Sequence, residues 1–189
     1  MSLQTWEEAI SSQQATGTSF GTFTTAKTVI NPQALVSLPA GFWTVGKSVR
    51  ITATGGIGTL VTTPGTITFQ VMIGAAIAFT TGAIQLNATA HTNLPFILEI
   101  ILTCRAVGNG TNSNLIGTSK ITGIMPTVTA AQVDGVNSMA VLVAPATAPA
   151  VGAGFDSTTA QVLDFFAGFS ISNAANTVKI EQYIVESMN

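Results

Sequence analysis

The stretch that decides the fold is "PFILEIILTCRAVG", residues 95–108. In an extended chain, successive side chains point to opposite faces. Here one face would carry Phe96, Leu98, Ile100, Leu102, Cys104 and Ala106, and the other would carry Ile97, Glu99, Ile101, Thr103 and Arg105. The polar turn "GNGTNSN" follows, and then "LIGTSKITGI", so the pattern predicts a long β-strand and its hairpin partner.

The same alternation recurs on both sides of this hairpin. It is clearest in "SVRITATGGIGTL" (48–60), "TITFQVMIG" (66–74), "QVLDFFAGFSIS" (161–172) and "NTVKIEQYIVESM" (176–188). About eight to ten strands, with the last returning from a long connection, favour an all-β antiparallel β-sandwich of jelly-roll type. An immunoglobulin-like sandwich is the alternative, because alternation does not encode topology.

The connection between about residues 125 and 159 has weaker periodicity. It is rich in Pro, Ala and Gly and carries one short apolar run, "MAVLV" (139–143). An apolar segment with almost no charge is a poor solvent-exposed loop. We therefore expect it to hold a strand or two and to contact the body of the protein or a neighbour.

The N-terminus differs from the rest of the chain. Leu3, Trp6 and Ile10 can share one side of a short helix, and a polar stretch follows them. The predicted organisation is an N-terminal arm, helical or extended, over residues 1–20 and a single sandwich domain over residues 21–189. Because the apolar stripe is too short to be a stable helix alone, we expect Leu3, Trp6 and Ile10 to bind a partner.

Composition excludes several classes of protein. Only 7% of residues are charged and the formal net charge is −2, so no basic surface for nucleic acid is expected. The longest apolar run, "VMIGAAIAF", is about half the length of a membrane-spanning helix. Glu7 and Glu8 stand where a signal peptide would be basic. The protein is therefore expected to stay in the cytoplasm, where it is synthesised. A surface with so few charges indicates an assembly component.

One motif suggests nucleotide binding. "GFWTVGKS", residues 41–48, matches the phosphate-loop pattern G-x-x-x-x-G-K-[ST]. That loop needs a helix after it, whereas Ser48 begins a β-branched alternating segment with a Gly55-Gly56 pair. The motif is therefore predicted to be an inert turn with Lys47 facing solvent, and no cofactor is expected.

Residues that carry chemistry are few and scattered. His91 is the only histidine and is expected in a turn, and Cys104, the only cysteine, is expected to be buried. We therefore expect no metal site and no cysteine nucleophile. The glycosylation patterns at Asn87 and Asn109 mean little without a secretory signal.

The carboxylates are the remaining candidates for catalysis. Those on predicted strands are Glu99, Asp164, Glu181 and Glu186. A glycosidase-like pair would be expected to come with aromatic sugar platforms, of which the chain has few. Salt bridges with Arg50, Arg105, Lys120 or Lys179 are the expected role, and no catalytic residue is predicted.

Three segments of the sequence resemble those of a known group of proteins. They are "LPAGFWTVGKSVRITATGGIGT", "TTPGTITFQVMIGAAIAFTTGAIQLNATAHTNLPFILEIILTCRAVGNGTNSNLIG" and "NTVKIEQYIVESMN". Together they resemble virion structural proteins of tailed bacteriophages of actinobacteria, over about residues 39–123 and the final strand. The likeness lies in the sequences of the predicted strands and includes no catalytic motif.

The resemblance implies a jelly-roll protein on the virus particle. Its expected role is that of a capsid decoration protein on the head surface, bound to the major capsid protein or another virion protein and self-associating as a trimer. A tail or fibre protein is the structural alternative. A carbohydrate-binding sandwich module for host attachment is the alternative from a different class.

Overall fold

The computed structural model describes residues 7–60, 62–86, 88–123 and 140–188 and shows an all-β sandwich. Two antiparallel sheets pack against each other, which confirms the predicted fold class. A short 3-10 turn, Pro32–Ala34, is the helical element of the described residues. The strands in those residues are β1 Glu8–Ser12, β2 Phe20–Gly21, β3 Lys27–Thr28, β4 Val36–Leu38, β5 Ser48–Thr59, β6 Thr66–Ile73, β7 Ala76–Thr80, β8 Ile84–Gln85, β9 His91–Ala106, β10 Asn114–Gly123, β11 Ala140–Ala144, β12 Gln161–Phe169 and β13 Thr177–Ser187.

The strand order is that of a jelly roll. The large sheet runs β1-β13-β5-β9-β10-β11, with β2 also on β13, and the small sheet runs β3-β12-β6-β7, with β4 on β12 and β8 on β6. Among the described strands the chain therefore crosses between the sheets at six of the twelve connections, and the last strand lies between the first strand and β5. An immunoglobulin-like sandwich would instead pair its first two strands with each other.

Alternating side chains build the core between the sheets. In β9, Phe96, Leu98, Ile100, Leu102 and Cys104 are buried as predicted, and Ile97 and Ile101 point outward. The centre of the core is aromatic: the Phe165 ring is nearly parallel to that of Phe69, with centroids 5.6 Å apart, and lies 5.8 Å from that of Tyr183. The long strands thus face the core with one side only.

Gly55 permits a close approach between β5 and β13. β13 carries an irregularity between Ile180 and Gln182. A Cβ at Gly55 would collide with the backbone carbonyl oxygen of Lys179. The Gly-Gly pair that spoke against a helix in the sequence therefore marks a bulged crossing within the sheet.

The N-terminal segment is extended where it is described. Ile10 lies in β1, paired with β13, so the helical alternative is not formed there; Leu3 and Trp6 lie outside the described residues. The Gln13 side chain donates to the Ile180 carbonyl at 2.9 Å, and the Gly17 N–H donates to the same carbonyl. Residues 8–21 are thus bound along β13.

The long connection contacts the body, as expected. Its apolar run forms β11 on β10, and residues 124–139 lie outside the described residues. Further on, Val151 forms an isolated β-bridge with Ile116, and Phe155 forms one with Ser113. The Ala153 N–H donates to the Ile77 carbonyl in β7. The connection therefore closes the gap between β10 and β7.

Candidate interaction surface

Three of the four candidate carboxylates form salt bridges with the bases expected for them. Glu99 Oε2 lies 2.8 Å from Lys120 Nζ. Glu181 Oε1 lies 2.6 Å from Lys179 Nζ, which lowers the pKa of Glu181. Glu186 Oε2 accepts from Arg50 Nε at 2.9 Å, and this contact raises the pKa of Arg50.

The fourth carboxylate, Asp164, lies alone on the small sheet. It accepts hydrogen bonds from Thr28 Oγ1 at 2.8 Å and from the Phe165 N–H at 2.6 Å. Partial burial raises its pKa, and these hydrogen bonds oppose the rise. No salt bridge to Asp164 is found in the part of the chain that the structure describes. Because the other three carboxylates belong to the large sheet, the four are not brought together.

The remaining single candidates are also separate. His91 is the first residue of β9, opposite Thr59, and not in the predicted turn, because the strand extends further toward the N-terminus than the sequence indicated. Cys104 is buried as predicted, and this burial raises the pKa of its thiol. Residues 7–60, 62–86, 88–123 and 140–188 contain no cluster of three His, Cys, Asp or Glu side chains suited to a metal. Asn87 lies outside the described residues.

The phosphate-loop pattern leads into a strand and not a helix. Ser48 is the first residue of β5, so no helix N-terminus faces the loop. Lys47 Nζ lies 4.2 Å from the centroid of the Phe42 ring, and Phe42 packs edge-on against the buried Trp43. Lys47 is therefore half-buried over an aromatic ring, which corrects the prediction that it simply faces solvent.

Two cavities lie at the surface of the described residues. One, of about 310 Å³, lies beside β1 and is lined by Ile10, Gln14, Leu35 and Val36 among others. The second, of about 460 Å³, lies between β7 and residues 145–153. Neither has an ionisable side chain in its lining, so neither offers a general acid or base.

The outer face of the large sheet mixes exposed apolar side chains with polar ones, and its described charges are mostly paired. One cross-strand row runs Val143, Lys120, Glu99, Thr52, Ile184, and the adjacent row runs Val141, Thr122, Ile97, Thr54, Gln182. The exposed large apolar side chains on this face are Ile97, Ile101, Val141, Val143 and Ile184. The charges of Glu99 and Lys120 neutralise each other at its centre. Such a patch is typical of an interaction surface.

β11 forms one edge of this face. It pairs with β10 on one side and is the terminal strand of the sheet among the described strands. Val141 and Val143 are 63% and 62% exposed, while Leu142 packs against the core. The apolar run is visible in the sequence, but no local pattern indicates that its strand lies at an edge of the sheet.

Of the predicted partner-binding residues, Ile10 alone lies within the described residues. It is half-buried and packs against the core. Beside it, the Ser11 hydroxyl donates to the Ala34 carbonyl at 2.7 Å, and Arg50 forms an ion pair with Glu7. Ile10 therefore anchors β1 to the body and borders the smaller cavity.

A comparison with known protein families finds no match, and a comparison with curated proteins finds none either. In the described residues, no helix is both long enough and apolar enough to span a membrane.

Proposed function

We propose that this chain is a structural protein of a phage virion. In this role it is a capsid decoration protein that binds the assembled head through its N-terminal residues and self-associates. The resemblance of its strand sequences to those of phage structural proteins suggests the virion as the place where it acts. The observation that carries the proposal is the group of exposed large apolar side chains on the outer face of the large sheet, among paired charges, which suits a protein that works in contact with others.

The distribution of polar groups supports a structural role over a catalytic one. Glu99, Glu181 and Glu186 are each paired with a base on the same sheet. Both described cavities lack ionisable side chains. The outer face of the large sheet also exposes five large apolar side chains, and association with another protein would cover them.

The attachment segment of this proposal is narrower than the whole N-terminal arm. Because residues 8–21 are hydrogen-bonded along β13, their removal would strip an edge from the large sheet. Residues 1–6 contain Leu3 and Trp6, two of the three residues predicted to bind a partner. The test must therefore remove these six residues and leave β1 in place.

The experiment measures binding of the full chain and its variants to purified heads that lack this protein. Deletion of residues 1–6 should abolish co-sedimentation, and Trp6→Ala should weaken it by about 30-fold, the effect of losing an aromatic residue worth about 2 kcal/mol. Gln4→Ala, in the same segment, is the matched control and should bind as the wild type does. Circular dichroism should show an unchanged β-sandwich in all three.

Two results would overturn the proposal. Equal binding by the deletion variant and the wild type would exclude attachment through residues 1–6. Mass spectrometry of separated heads and tails that finds the chain on tails alone would reassign it to the tail or a fibre. The carbohydrate-binding alternative predicts instead saturable binding on a glycan array by the chain alone.

A further inference from the structure

The edge of β11 that pairs with no described strand has a sequence that is complementary to itself. Read from Ala140 to Ala144, the strand is Ala-Val-Leu-Val-Ala, which is the same in both directions. In an antiparallel pair centred on Leu142, Val141 of one copy would lie opposite Val143 of the other, on both sides of the centre. Each row across the junction would then match valine with valine.

The edge lacks the features that usually prevent such pairing. Exposed edge strands are commonly protected by charged side chains, proline or a bulge. β11 contains no charge and no proline, and its pairing with β10 is regular over all five residues. Its two exposed valines present β-branched side chains that pack well across strands.

The surroundings of the edge also favour a second copy as the occupant. The ion pair of Lys120 and Glu99 leaves the rows that end at β11 without net charge, so two copies would not repel each other there. Val141 and Val143 lie on the same outer face as Ile97 and Ile101. A continuous sheet across two copies would therefore bring the exposed apolar side chains of both onto one face.

We propose that two copies of this chain associate by antiparallel pairing of their β11 strands about a two-fold axis at Leu142. This pairing gives a surface to the self-association in the proposed function. It rests on that self-association alone and not on attachment to the head. It differs from the trimer that the resemblance implies. In an isologous pair, the same edge is used by both copies and the assembly closes at two.

The test uses the purified full chain and measures mass by light scattering over a wide concentration range. The wild type should reach twice the chain mass of 19.3 kDa. Val141→Lys and Val143→Glu should each raise the dimer dissociation constant by about tenfold or more, because two cross-strand valine rows lose their contact. Val45→Lys changes a valine of similar exposure, 65%, in a turn away from this edge and should leave the dimer intact.

A charge exchange tests the register itself. When Val141→Lys and Val143→Glu copies are mixed, one row of the mixed pair holds Lys opposite Glu and the other keeps valine opposite valine. The mixture should therefore recover a heterodimer, and the double variant Val141→Lys/Val143→Glu should form a dimer on its own. Neither rescue is expected from a parallel pair or from a pair in another register.

Each alternative occupant has its own result, and each overturns the inference. A wild-type monomer at every concentration, with a melting temperature that Val141→Lys lowers, would mean that the chain covers its own edge. A wild-type monomer whose binding to heads is lost in Val141→Lys would assign the edge to a virion protein. A trimer, or a dimer that both charge variants leave unchanged, would place self-association elsewhere. Attachment to the head is tested separately from this pairing. Deletion of residues 1–6 should abolish head binding and leave the dimer intact.

Discussion

Replacing Phe165 with alanine should be among the most destabilising single changes in the sandwich. Phe165 is fully buried on β12, and its ring contacts that of Phe69 on the neighbouring strand β6 and that of Tyr183 on the opposite sheet. A buried Phe→Ala change costs about 3–5 kcal/mol, and each aromatic pair adds about 0.5–1.5 kcal/mol beyond burial. We expect a loss of about 4–5 kcal/mol in the free energy of unfolding, equivalent to a fall of about 8–20 °C in Tm for a chain of this size.

Phe166 provides a matched control. It is the next residue of the same strand, points to the opposite face and is half-exposed. No ring contact is found for Phe166 within the described residues. Phe166→Ala should therefore cost about 1 kcal/mol, a fraction of the value for a fully buried aromatic side chain.

The assay is urea unfolding at one fixed protein concentration, followed by circular dichroism and by tryptophan fluorescence. Coincident transitions would justify a two-state treatment, and an unchanged slope would show that the surface exposed on unfolding is the same. The reasoning is refuted if Phe165→Ala and Phe166→Ala cost the same, because the two faces of β12 would then not differ in burial.

Two further predictions concern single polar side chains. Because burial raises the pKa of Asp164 in the folded state, its contribution to stability is full below the unfolded pKa of about 3.9 and is lost as pH rises through the folded pKa. Asp164→Asn should therefore raise Tm at pH 7 and leave it unchanged at pH 3, and a lower Tm at pH 7 would contradict this. Lys47→Ala should lower the free energy of unfolding by about 0.5–1 kcal/mol, the value of one exposed cation–π contact. Calorimetric titration should detect no ATP binding before or after this change, and saturable binding lost with Lys47 would restore the phosphate-loop interpretation.

The strands and their buried faces could be predicted because a period of two is a local property. Leu98 and Phe165 alternate with outward residues along the chain, and hydrophobic burial then selects the face. The jelly-roll order was favoured but not determined, because pairing joins residues far apart. Val185 on β13, for example, lies opposite Ile51 on β5, and no local pattern indicates that neighbour.

The departures from the local pattern have the same physical origin. Of the two predicted forms of the arm, helical or extended, Ile10 takes the extended one, because Ala9 and Ser11 on either side of it pair with β13. His91 joins β9 because Thr59 of β5 lies opposite it. Lys47 lies over Phe42 because the turn brings the ring beneath the ammonium group. In each case a neighbour that the local sequence does not reveal overrides the local preference.

One proposed contact uses the β11 edge of the large sheet, and the other uses the residues that precede β1, the strand at the opposite edge. β1, next to the attachment segment, ends the large sheet on one side, and β11 ends it on the other. With five strand spacings between them, the two edges are about 24 Å apart. A two-fold pair through β11 would therefore carry two attachment segments and leave the β1 edge of each copy uncovered. Because the second segment binds at an effective concentration set by the first, the pair would hold a repeating surface far more tightly than a single copy does. Weak attachment by a few residues and modest pairing at one edge would thus together produce stable decoration.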